Sequence, residues 1–134
     1  MNSIKGKFAL VTGGTQGLGA AIAKNFADSG AEGVVTIGRK EDKGNEVAKK
    51  IQDETGCKVI FVKTDLGEVQ ECRNAVSVAK QEFGRLDVLV NAAGITDRGD
   101  IVNTSEELFD KMIGTNLKGP YFLIQETGKI MIEK

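Results

Sequence analysis

Histidine is absent from the 134-residue chain, which excludes His-based nucleophilic triads and most zinc sites. Cysteine is scarce: Cys57 and Cys72 have no metal-ligand spacing and read as small buried hydrophobes. No apolar run approaches the roughly 18 residues that a membrane span requires, and no apolar leader precedes the first strand-like run, so a cytoplasmic chain without a membrane partner is expected. Neither charge sign predominates. With 18 basic and 19 acidic residues, a formal net charge of -1 and no long run of either sign, nucleic acid is not expected as a partner. Linkers, repeats and low-complexity segments are missing too. A composition of 40% hydrophobic and 28% charged residues suits one globular core, so residues 1–134 are read as one domain.

What is present is an alternation of short β-rich runs and longer helical patterns. Phe8 to Val11, Gly33 to Ile37, Val59 to Val62 and Leu86 to Val90 are aliphatic runs of the kind expected for strands buried on both faces. Between them, Val69, Cys72, Val76, Ala79 and Phe83 recur at helical spacing, and Leu18, Ala21, Ile22 and Phe26 do so less regularly. Gly30, Gly56 and Gly84 fall where left-handed helix stops are needed. Strand and helix in strict alternation predict a parallel α/β sheet. After the fourth strand, Thr104 and Glu107 form a capping-box pair opening a long helix that runs to Lys134.

The glycines lie at the first strand-to-helix junction, in VTGGTQGLGAAIAKNF, Val11 to Phe26. The G-x-G-x-x-G dinucleotide fingerprint is not met, because Thr15 and Leu18 occupy two of its glycine positions. The wider spacing, Thr12-Gly13-x-x-x-Gly17-x-Gly19, serves the same physical purpose. Gly13 turns the chain out of the strand, Gly17 removes a side chain where a pyrophosphate would lie, and Gly19 lets the helix pack closely. The helix amino terminus then faces the anion.

Three further stretches follow in order. Asp65-Leu66 comes after the third apolar run, Asn91-Ala92-Ala93-Gly94 after the fourth, and Asn116 lies within TNLKGPYF. Together with T-G-x-x-x-G-x-G they resemble the short-chain dehydrogenase/reductase family in its classical branch, from Lys7 onward, including ketoacyl-carrier-protein reductases and sugar or polyol dehydrogenases. The resemblance implies a Rossmann-type, doubly wound parallel sheet that stops after the fourth strand and its long following helix. It also implies cofactor contacts at Gly13, Thr15, Gln16, Gly17, Leu18 and Gly19, at Gly38 and Arg39, at Asp65 and Leu66, and at Asn91, Ala92 and Gly94. In the family Asp65 would touch the adenine ring and Asn116 would be catalytic; no metal is implied. The family's N-N-A-G reads N-A-A-G here, so the contact at Ala92 is implied through its main chain. Locally, Asp65 also reads as a cap of the next helix with Glu68, and Asn91 as a tie between loops.

The end of the second strand bears on the choice of cofactor. A carboxylate there would accept hydrogen bonds from a ribose 2′-hydroxyl and repel a 2′-phosphate, but the sequence reads Ile37-Gly38-Arg39-Lys40. Arg39 can pair with a phosphate bidentately and Lys40 adds charge, so NADP(H) is favoured, with NAD(H) possible. Gln16 stands where many NADP-dependent relatives carry a second basic residue.

In the family a Ser, a Tyr and a Lys four residues after the Tyr assist hydride transfer. The one tyrosine here is Tyr121, with Gln125 four residues on. The resemblance therefore implies the amino-terminal, cofactor-binding part of a reductase of roughly 250 residues. Such an enzyme would act on a small alcohol or carbonyl substrate, and this part alone would be inactive. A non-catalytic nucleotide-binding or assembly module is the alternative. Because the family's long helix packs against its symmetry mate, a homo-oligomer is expected. Lastly, Pro120 has no N–H to give, and its ring clashes with the carbonyl of Asn116, which predicts a kink or bulge near residues 116–120 that frees the Asn116 carbonyl.

Overall fold

The computed structural model describes residues 3–97 and 99–133. Its elements alternate as the apolar runs predict: β1 (Phe8–Thr12), α1 (Gly17–Asp28), β2 (Gly33–Gly38), α2 (Glu41–Thr55), β3 (Lys58–Lys63), α3 (Val69–Phe83), β4 (Val88–Val90), α4 (Glu106–Ile113) and α5 (Gly119–Ile132). Between α4 and α5 the backbone forms one π-turn, Gly114–Lys118. The strands form one parallel sheet in the order β3-β2-β1-β4, with Leu10 in register with both Val35 and Leu89. This is the Rossmann-type doubly wound sheet. The order reverses between β1 and β4, which is where such sheets open a crevice at their carboxyl ends.

Two apolar cores cover the two faces. On one, Leu10, Val35 and Ile37 meet Cys72, Ala75, Val76 and Ala79 of α3 and Leu123 and Ile130 of α5. On the other, Val11, Val34 and Val59 meet Ala23 and Ala27 of α1 and Ala48 and Ile51 of α2. The stripe predicted on α3 is the one buried. On α1 the stripe is only partly so: Ile22 and Phe26 pack against the core, but the fully buried positions are Gly19, Ala23 and Ala27, whereas Ala21 is exposed and Leu18 is 69% exposed. Small residues bring α1 close to the sheet, and the close approach outweighs the larger side chains beside them.

Gly30, Gly56 and Gly84 all take positive φ, as left-handed stops require. The capping box is corrected. Ser105, not Thr104, is the N-cap of α4, accepting from the Leu108 N–H at 3.0 Å, while the Thr104 hydroxyl donates to the Asp100 carbonyl at 2.6 Å. Two adjacent hydroxyls compete for one cap, and the turn closed by Asp100 takes the first. The long helix is unbroken from Glu106 to Ile132, with its register changed at the π-turn. The bulge expected near residues 116–120 appears as the π-turn, two residues earlier at Gly114–Lys118, and the predicted end at Lys134 lies outside the described residues.

Candidate functional site

A cavity of about 280 Å³ opens at the carboxyl ends of the strands, beside the point where the strand order reverses. Its floor is the β1–α1 turn. Gly13 (φ +72°) and Gly17 (φ +57°) hold conformations that other residues rarely adopt, and α1 begins at Gly17. A Cβ at Gly13 would lie 3.1 Å from the Ala93 Cα. A Cβ at Gly19 would be driven into the Gly13 carbonyl oxygen, so the helix starts tight against the strand end. Around Gly17 a Cβ would meet nothing within 4 Å, which leaves open space in front of the α1 amino terminus. That terminus has neither a side-chain cap nor an acidic residue in its first turn. Its N–H groups and the helix dipole therefore suit an anion.

Of the residues expected to bind cofactor, Gly13, Thr15, Gln16, Gly17, Leu18, Gly19, Gly38, Arg39, Asp65, Leu66, Ala92 and Gly94 all line this cavity. They come from four separate loops that the sheet gathers at one edge. Asn91, directly after β4, and Asn116 are not among the lining residues. Arg39 and Lys40 supply the positive charge at the end of β2, and both are exposed there. Asp65 does not cap α3, whose N-cap is Glu68 without a side-chain bond. Its carboxylate instead accepts from the Gly67 N–H at 2.9 Å, closing the turn after β3.

The Asn116 amide is fully engaged: Oδ1 accepts from the Ile95 N–H at 2.8 Å and Nδ2 donates to the Ile95 carbonyl at 2.7 Å. Its main-chain carbonyl would find its α-helical partner at residue 120, which is proline and has no N–H.

Sequence reasoning missed Thr12 as a site residue. Its hydroxyl, fully buried, accepts from both the Ala92 N–H at 3.0 Å and the Ala93 N–H at 2.9 Å, tying the β4 loop to β1. The threonine preceding Gly13 was part of the motif, but its partner lies 80 residues away in sequence. Thr64, Ala93, Ile95 and Thr115 also line the cavity unforeseen. Among the described residues no cluster of His, Cys, Asp or Glu could hold a metal, and no helix is long and apolar enough to cross a membrane.

Comparison with known proteins agrees with this geometry. A family model described as short chain dehydrogenase matches residues 7–134. An uncharacterized oxidoreductase of Thermotoga maritima is 35% identical over 131 residues, 98% of this chain and 50% of the relative. Among solved structures, a short chain dehydrogenase from Burkholderia cenocepacia in complex with NADP gives a TM-score of 0.90 at 34% identity, covering 97% of this chain and 53% of that one. L-Sorbose reductase from Gluconobacter frateurii, complexed with NADPH and L-sorbose, gives 0.92 at 29% identity, covering 96% and 49%. The chain thus spans about half the length of the curated relatives it matches.

Proposed function

This chain belongs to the short-chain dehydrogenase family, and from that premise we propose that it forms the cofactor half of an NADP(H)-dependent oxidoreductase acting on a small alcohol or carbonyl substrate. The observation that carries the reading is the cavity itself, with a glycine cradle before an uncapped helix terminus and Arg39 and Lys40 at its β2 edge. The β1–α1 turn would hold the pyrophosphate through main-chain N–H groups, and Arg39 would fork onto the 2′-phosphate. Asp65 and Leu66 would flank the adenine, and the Ala92–Gly94 backbone, held by Thr12, would follow the dinucleotide. When bound, the nicotinamide would supply or accept the hydride. Asn116 would hold the Ile95 backbone with its side chain and offer its main-chain carbonyl, denied an α-helical partner by Pro120, to a proton-carrying water. Solved neighbours that carry NADP or NADPH support the phosphorylated cofactor. Cys57 and Cys72 are both buried and not paired with each other, which suits the cytoplasmic setting included in this reading.

The same reading includes self-association. Phe109, Ile113, Leu117, Tyr121 and Ile124 form an exposed apolar stripe along α4, the π-turn and α5, with a second copy of the chain as its proposed cover.

The test of the cofactor assignment is a fluorescence titration with NADPH and NADH. NADPH is expected to bind more tightly, and Arg39→Ala is expected to remove about tenfold of that preference, the worth of one charge-assisted contact. Equal affinities for the two cofactors, unchanged in the variant, would refute it.

A further inference from the structure

Two walls of the cavity come from segments far apart in sequence: Asp65 and Leu66 after β3, and Gly94 and Ile95 after β4. Both rest on the π-turn. On one side, a Cβ at Gly119 would be driven into the Leu66 carbonyl oxygen, and one at Gly114 would lie 3.5 Å from the Gly67 Cα, so the Leu66-Gly67 turn sits in a notch between two buried glycines. On the other side, Asn116, between those glycines in sequence, holds both main-chain polar groups of Ile95.

The notch depends on the π geometry. In a regular α-helix, residues five apart are separated by about 140° around the axis and cannot face one loop. Here the Gly119 N–H donates to the Gly114 carbonyl, which stacks the two glycines one above the other. Pro120 opposes a return to the α form, because the ring would meet the Asn116 carbonyl again.

We propose that the π-turn Gly114–Lys118 is a positioning element that couples the Asp65–Gly67 wall to the Gly94–Ile95 wall, so that ordering one orders the other. Loss of the π register withdraws the glycine notch and the Asn116 amide together, because both are set by the same turn. Its bearing on cofactor binding rests on the function proposed above; the coupling itself does not.

Amide hydrogen exchange of the chain without ligand tests it at two reporters, the Ile95 N–H on Asn116 and the Gly67 N–H on Asp65. Asn116→Ala frees the first directly, and the coupling requires exchange at Gly67 to rise as well, by about fivefold or more. Gly119→Ala displaces the Leu66-Gly67 turn, and exchange at Ile95 is expected to rise by a similar factor. Leu10 and Val35, buried in the central strands, report global unfolding and are expected to stay protected. Should Gly119→Ala not fold, the exposed Asn116→Ala site and Pro120→Ala, which restores an N–H opposite the Asn116 carbonyl, carry the test with the same two reporters. A rise confined to the amide beside each substitution overturns the proposal. NADPH is then added to the unsubstituted protein. If it slows neither amide although the variants show coupling, the coupling stands and the proposed function fails.

Discussion

Replacing Thr12 by valine removes a hydroxyl while keeping its shape, and the structure sets the size of the effect. The oxygen is fully buried at the end of β1 and accepts two N–H groups, from Ala92 and Ala93. Valine leaves both donors without that partner. An unsatisfied buried donor costs about 1–3 kcal/mol; Ala92 and Ala93 are half-buried and water recovers part of this, so about 2–4 kcal/mol is expected for the pair. Thr12→Ser keeps the acceptor and loses one methyl group, worth about 1 kcal/mol. Against a total stability of about 5–15 kcal/mol the valine loss is large, and the serine loss is not. Urea unfolding followed by circular dichroism separates them: the midpoint for Thr12→Val is expected to fall by about 1–2 M, with little change for Thr12→Ser. NADPH affinity is expected to fall with valine and persist with serine, because Ala92 and Gly94 line the cavity. A valine variant as stable as the serine variant would refute the view that this hydroxyl holds the β4 loop.

Gly19→Ala forces a methyl group into the Gly13 carbonyl oxygen, with backbone atoms on the other sides, so loss of soluble folded protein or of NADPH binding in a titration is expected. Burial pushes the Cys72 thiol from 9.0 up to about 11 and raises that of Cys57. Iodoacetamide at pH 8 is therefore expected to leave the native thiols unmodified by mass spectrometry while labelling both in urea. Because the folded state keeps the Cys72 proton through that window, its contribution to stability is complete below pH 9.0 and is lost as pH rises toward about 11. Urea midpoints measured across that range should fall, less steeply in Cys72→Ala. Sedimentation at micromolar concentration is expected to show association, and Ile124→Lys, in the middle of the exposed stripe, to shift it toward monomer.

Much of the site was legible because its determinants are local. Gly13, Gly17, Gly30, Gly56 and Gly84 occupy positive-φ positions that the glycine spacing alone points to, and Arg39 follows directly from the chain at the end of β2. A bulge in this helix was legible for the same reason, since one proline denies one carbonyl its partner, although it was expected near residues 116–120 and lies at Gly114–Lys118. Where two local choices were nearly equal, as with Thr104 and Ser105 for the α4 cap, the surrounding turn chose.

By itself, then, the sequence determined the alternation of strand and helix, the glycine cradle and the charge at its rim, because backbone conformation and side-chain chemistry act within a few residues. Tertiary structure decided which face of α1 is buried, which hydroxyl holds the β4 loop, and that Gly114 and Gly119 clasp the Leu66-Gly67 turn while Asn116 holds Ile95. Those contacts join segments many residues apart, and no local period encodes them. They exist only once the sheet has brought the loop ends within hydrogen-bonding distance, where burial makes each unpaired donor costly enough to choose among the remaining arrangements.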